Sequence, residues 1–207
     1  MFKDVVTSKS ELRDMFGLPM ERSLLKEHRE LDAHCRAFIA LSPFVLIATA
    51  GANGRCDVSP KGDAPGFVRV LDATHLVIPD RPGNKRFDGM GNVLDNPHVG
   101  LIFLVPGRED TLRVNGRAAI VRDQELLDSM SVMGKSPQLA LGVEVEEAFM
   151  HCSKAFRRSG LWDTAQWPDV SGLATPQRIL FDHAALNDKP FEQYERESLE
   201  RLRTGLY

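Results

Sequence analysis

The apolar positions of this chain change period partway along it. From residue 8 to about 41 they recur every three to four residues, which predicts helices. Ser8 or Ser10 can cap a first helix running through Met15 and Phe16. Leu31, Cys35, Phe38, Ile39 and Leu41 give a second helix one apolar face, and Pro43 stops it. The period then shortens. Residues 44–50 are an apolar run of strand length. Gly51-Ala52-Asn53-Gly54 is a hairpin-type turn, because Asn-Gly tolerates positive φ, and 55–59 is a return strand. Residues 67–71 and 75–78 form another pair around Asp72-Ala73-Thr74. A helix is predicted from about Lys85 to Leu94, ended by Asn96-Pro97. Residues 99–105 read as a buried strand, and 111–115 with 117–121 as one long strand or a pair bent at Gly116. Asp123 caps a short helix carrying Leu126, Leu127 and Met130. Residues 142–150 alternate in part, Val143 and Val145 against Glu144 and Glu146. Residues 153–158 make a helical turn, and 191–202 a charged amphipathic helix.

Six or so short strands therefore occupy the middle, with one helix inserted among them and helices at both ends. They do not alternate regularly with helices, which weighs against a doubly wound parallel sheet. The pattern predicts a mainly β fold, an antiparallel barrel with α appendages. The chain divides into an N-terminal helical appendage (1–42), a barrel core (43–151) and a C-terminal extension (152–207), all within one domain.

Composition narrows the picture. The 207 residues suffice for one real core, with 43% hydrophobic and 27% charged positions. A net charge of −3 gives no reason to expect nucleic acid or membrane as a partner. No apolar run is long enough to span a bilayer, and Met1-Phe2-Lys3-Asp4 opens no signal-peptide core. Cys35, Cys56 and Cys152 are an odd, widely spaced set, which points to a reducing, cytoplasmic location. No Cys-x-x-Cys or His-x-x-x-His spacing offers a metal site.

Three stretches could carry chemistry. In Ile78-Pro79-Asp80-Arg81-Pro82-Gly83-Asn84-Lys85-Arg86-Phe87, an apolar strand gives way to what reads as a helix start. Asn84 would cap that helix and Lys85 and Arg86 would lie in its first turn, cations at the positive end of the dipole. With Arg81 nearby, this suits a bound dianion such as a phosphate; a solvated charged turn would show the same residues. Val58-Ser59-Pro60-Lys61-Gly62-Asp63-Ala64-Pro65-Gly66 reads as an irregular loop able to present backbone amides and one lysine to a planar ligand, or as a rigid surface loop. Thr111, Arg113, Asn115 and Arg117 share one face of a strand, which suits planar anion recognition or an exposed barrel face. After the last strand come His151, Cys152, Lys154, Arg157, Arg158 and Trp162; Trp162 could cover a ring system or anchor a loop. No Ser-His-Asp or Cys-His grouping is legible, and no catalytic acid or base is assigned.

Taken together, Asp57-Val58-Ser59-Pro60-Lys61-Gly62-Asp63, the 76–86 run, Asn92-Val93-Leu94-Asp95-Asn96-Pro97-His98-Val99-Gly100 and Leu112-Arg113-Val114-Asn115-Gly116-Arg117 resemble the pyridoxamine 5'-phosphate oxidase-like flavoproteins, over about residues 40–122. The resemblance implies a Greek-key-like split β-barrel that forms a homodimer with FMN at the interface. It implies Ser59, Pro60 and Lys61 along the isoalloxazine, and Lys85 and Arg86 on the phosphate with Arg81 or Asn84. Thr111 and Arg113 would reach the ring or ribityl chain from either subunit, and Trp162 with Arg157 or Arg158 would close the site. The implied activity is an FMN-dependent oxidoreductase on a small organic molecule. The alternative is a non-catalytic split barrel that holds flavin or haem. Pro79 stands where the oxidases carry a hydroxyl, and their C-terminal signature for pyridoxal phosphate is not recognisable. Both departures weigh against pyridoxamine phosphate oxidase activity itself.

Overall fold

The computed structural model describes residues 1–207. Its seven strands are β1 (Phe44–Ala50), β2 (Cys56–Gly62), β3 (Arg69–Val70), β4 (His75–Pro79), β5 (His98–Leu104), β6 (Thr111–Val121) and β7 (Ala140–His151). They form one sheet in the order β2-β1-β5-β6-β7-β4-β3, antiparallel at every pairing. Helices α1 (Lys9–Phe16), α2 (Glu21–Leu25) and α3 (Ala33–Leu41) precede it. Helices α4 (Asp88–Asp95) and α5 (Gln124–Asp128) interrupt it, and α6 (Lys154–Ser159), α7 (Pro176–His183) and α8 (Phe191–Thr204) follow. The fold is the expected mainly β split barrel with helical appendages, β2 and β3 being its edges.

The core follows from alternation. Val45, Ile47 and Thr49 of β1, Val99, Leu101 and Phe103 of β5, Leu112, Val114 and Ala118 of β6, and Leu141, Val143 and Val145 of β7 are all buried. Each large aliphatic or aromatic residue hidden this way stabilises the fold by about 1.5–3 kcal/mol. Helix α3 joins the same core through Cys35, Phe38 and Ile39, and its cap Asp32 accepts the Cys35 amide at 2.8 Å; Leu31, expected on this helix, is buried in the core but precedes the cap. The Ser42 hydroxyl sits between the carbonyl oxygens of Phe44 and Leu104, at 2.8 and 2.7 Å, tying the helix exit to β1 and β5.

The partial alternation of β7 has a structural cause. Asn115 pairs with Glu147 but Gly116 pairs with Val145, so Glu146 is an extra residue in the ladder. That bulge returns Ala148 to the core after Val145. Gly116 itself has no room for a side chain: a Cβ there would run into the Glu144 carbonyl. The stretch 111–121 is thus one strand, not a bent pair.

Three expectations are corrected. The inserted helix starts at Asp88, not Lys85. Asn84 does not cap it; its Oδ1 accepts the Arg86 amide at 3.0 Å in a local turn. Lys85 and Phe87 adopt left-handed φ of 60° and 56°, which cannot continue a helix, so Lys85 and Arg86 precede the first turn. Second, Ser59 to Gly62 is not an irregular loop but the end of β2, with Ile47 opposite Ser59 and Val45 opposite Lys61. Pro60 is tolerated because β2 is an edge strand. Third, α7 was not anticipated, although Thr175 caps it and Pro176 opens its first turn.

Candidate functional site

Edge strand β2, the segment from β4 into α4, and the 135–138 segment enclose a cleft of about 580 Å³. That lies within the roughly 300–1,000 Å³ usual for small-molecule sites. Ile47, Ile78, Pro79 and Leu141 supply apolar wall, and Ser59, Pro60, Lys61, Arg81, Asn84, Lys85 and Arg86 all line it. Seven residues singled out from the sequence are therefore brought together by the fold.

The cleft's charges are unequally available. Lys61 Nζ pairs with Asp80 Oδ1 at 3.1 Å. Arg81 Nε donates to Asp63 Oδ2 at 2.6 Å and its Nη1 to the Met130 carbonyl at 3.0 Å. The Arg81 and Asp63 side chains are 15% and 2% exposed. Breaking a buried pair of that kind costs about 3–5 kcal/mol, so Arg81 is committed to the scaffold. Burial pushes the Asp63 carboxyl up, but hydrogen bonds from Tyr207, the Ala64 amide and Arg81, with the Arg81 charge, outweigh it and hold the group below its ordinary range. Arg86 Nε reaches Asp88 Oδ2 at 2.7 Å, but its side chain is 71% exposed. Exposed pairs contribute about 0–1 kcal/mol, so Arg86 can turn to a ligand at little cost. Lys85 has no ion-pair or hydrogen-bond partner for its ammonium group. The strongest candidates for a phosphate are thus Lys85 and Arg86. Lys85 itself and Phe87, on either side of Arg86, are left-handed, at a cost of about 1–3 kcal/mol each, which marks the loop as specialised.

The other four residues lie elsewhere in the chain. Thr111 and Arg113 belong to the far end of β6, where the Arg113 guanidinium lies 5.4 Å from the Phe149 ring centre. Arg157 Nε donates to Glu109 at 2.6 Å, and Trp162 Nε1 to the Arg108 carbonyl at 2.7 Å. Trp162 also stacks on Phe156, with centroids 5.8 Å apart. None of the four lines the cleft of the same chain. Next to them, the His151 Nε2 is buried without a partner. Burial, then the Arg113 and Lys26 charges, push the His151 pKa down and favour a neutral ring.

Sequence reasoning missed Asp57, Lys135, Ser136, Gln138 and Tyr207, which also line the cleft. Lys135 follows a tight turn in which Met133 and Gly134 both have positive φ and Val132 bridges back to Lys135. The Met-Gly step before a lysine and a serine was the available signal. Nothing near Tyr207 in the sequence points to the cleft.

An isoalloxazine with a phosphoryl tail fits this donor set: an apolar floor, strand residues along one side, and one free ammonium with an exchangeable guanidinium at one end.

No curated protein matches the chain. Among solved structures, HupZ from Group A Streptococcus is 20% identical, over 55% of this chain and 88% of that one, with a TM-score of 0.44. An FMN-binding protein from Syntrophomonas wolfei is 14% identical, over 69% and 96%, with a TM-score of 0.44. HutZ, the haem storage protein from Vibrio cholerae, is 17% identical, over 58% and 93%, with a TM-score of 0.41. Likenesses of this size carry no argument about what this chain binds. The family model for pyridoxamine 5'-phosphate oxidase matches residues 31–152, from the residue before the α3 cap to the residue after β7, and by that match this chain belongs to the pyridoxamine 5'-phosphate oxidase-like split-barrel family.

Proposed function

We propose that this chain is an FMN-binding flavoprotein acting as an oxidoreductase on a small organic molecule. The observation that carries the reading is the pairing of an apolar-floored cleft with a Lys85 ammonium that has no protein partner. When bound, the flavin would supply the redox chemistry. The chain's own residues supply the rest. Lys85 and Arg86 hold the phosphate. Ser59, Pro60 and Lys61 flank the ring. Ile47, Ile78 and Leu141 exclude water from one of its sides. The Lys61 ammonium, held by Asp80, is a hydrogen-bond donor beside the ring.

We further propose that the working unit is a homodimer. Pairing aligns Pro60, Leu46, Ile102, Arg113 and Phe149 in one row across five strands, on the face opposite the core. This half-buried, largely apolar outer face begins at the strand that walls the cleft. A second copy seated there would bring Thr111 and Arg113, with Arg157 and Trp162 behind them, toward the partner's ligand. The three free cysteines fit a reducing compartment such as the cytoplasm.

A non-catalytic haem-binding role is the second reading, supported by the unpartnered, neutral-leaning His151 nitrogen, which lies outside the cleft. The absorption spectrum of the purified protein separates the two. Flavin bands that bleach on reduction and recover with an acceptor, with FMN identified by mass after denaturation, are expected. A Soret band would favour haem, and a protein that takes up neither would sink both readings.

A further inference from the structure

The cleft has one wall that the flavin reading does not explain. Helix α8 ends at Thr204, Leu206 is 66% exposed, and yet Tyr207 turns back to line the cleft. Only Tyr194 of α8 is buried, so the helix itself anchors its last turn weakly. What holds the following segment is a set of three contacts, to the wall residues Arg81 and Lys135 and to Asp63 behind them. The Tyr207 hydroxyl donates to Asp63 Oδ1 at 2.6 Å. The Lys135 ammonium donates to a main-chain oxygen of Tyr207 at 2.7 Å. The Arg81 guanidinium lies 5.8 Å from the centre of its ring.

These contacts add the Lys135 turn and the end of the chain to the pair that Asp63 and Arg81 already form. Arg81 leads from β4 toward α4, Lys135 sits on the turn before β7, and Asp63 follows β2. An aromatic ring held at the wall of a cleft presents a flat, rigid surface at low conformational cost. The tethers are polar and reversible, so the segment opens at far less cost than the core.

We propose that Tyr207 closes the cleft behind a bound planar ligand, its ring covering the ligand and its hydroxyl and main-chain tethers setting how fast the ligand leaves. Asp63 and Lys135 are the positioning residues for that ring. The inference rests on the flavin reading, with FMN as the ligand. It concerns retention, where most differences in affinity between related complexes arise.

The experiment measures FMN release from the loaded protein into an excess of an FMN-scavenging apoprotein, together with quenching of the bound flavin's fluorescence by iodide. Tyr207→Ala should release FMN at least about tenfold faster and expose it to iodide. Tyr207→Phe, which keeps the ring and the Lys135 tether but loses the bond to Asp63, should release FMN faster than the parent and more slowly than Tyr207→Ala. Lys135→Ala keeps the ring but cuts a tether; it should speed release severalfold, and it stands in if Tyr207→Ala fails to fold. Unchanged release and iodide access in both Ala variants, or tighter FMN binding on loss of the ring, overturns the inference while leaving flavin binding intact. A parent protein that takes up no FMN overturns the flavin reading and this inference with it.

Discussion

Lys85 matters because its neighbours are already occupied. Arg81 is tied to Asp63 behind the cleft wall and Lys61 to Asp80 within it, whereas Arg86 holds only an exposed partner. Charge-assisted contacts to a phosphate are worth about 1.5–3 kcal/mol each. Replacing both Lys85 and Arg86 with Ala should therefore weaken FMN binding at least about a hundredfold in a titration. His75→Ala, a change at an exposed residue held by Asp72 on the far side of the β3–β4 turn, should leave it unchanged. Equal affinities for the double variant and the parent would remove the phosphate assignment. Lys85 and Arg86 were legible as a cationic pair next to a strand, but not in their geometry. The Asn84 turn and two left-handed residues outcompete the helix there, and a positive φ at lysine or phenylalanine leaves no mark in composition.

Among the elements, β7 shows how local pattern and pairing interact. Val143 and Val145 alternate as a strand should, and then two glutamates in succession break the period. Alone, that break reads as a weak strand. Against β6 it is a bulge, and the extra residue lets eleven positions of β6 pair while Ala148 still faces inward. Gly116 is the counterpart on β6, because the Glu144 carbonyl occupies the space a Cβ would need. Gly116→Ala should cost about 1–3 kcal/mol of stability in urea unfolding, as overpacking does in tight sites. A variant as stable as the parent would mean that the two strands do not approach this closely. β2 teaches the converse. Its Pro60 and Gly62 read as a loop, but an edge strand needs hydrogen bonds on one side only, so Pro60 is accommodated.

At the level of the assembled protein, the sheet has apolar residues on both faces over β1, β5 and β6. The inner face fills the barrel. The outer one carries Leu46 and Ile102 beside Arg113, with the Phe149 ring in turn under Arg113 and Lys26. Leu46→Glu should convert a dimer to monomers in sedimentation velocity and weaken flavin binding in parallel. A parent protein that is monomeric at micromolar concentration, yet binds FMN fully, would remove the proposed dimer from the site. Thr111, Arg113, Arg157 and Trp162 give the proposal its use, since a single chain holds them away from its own cleft.

Hydrophobic period and turn chemistry alone established the run of strands, the inserted helix, the helices at both ends and the cationic stretch before α4, because each depends on residues close together in the chain. The charge left free, the bulge between β6 and β7, and the arrival of Lys135 and Tyr207 beside Arg81 were decided by the folded chain. Ion pairing, ladder register and the meeting of residues as far apart as Asp63 and Tyr207 are properties of distance in space, and no local pattern encodes them.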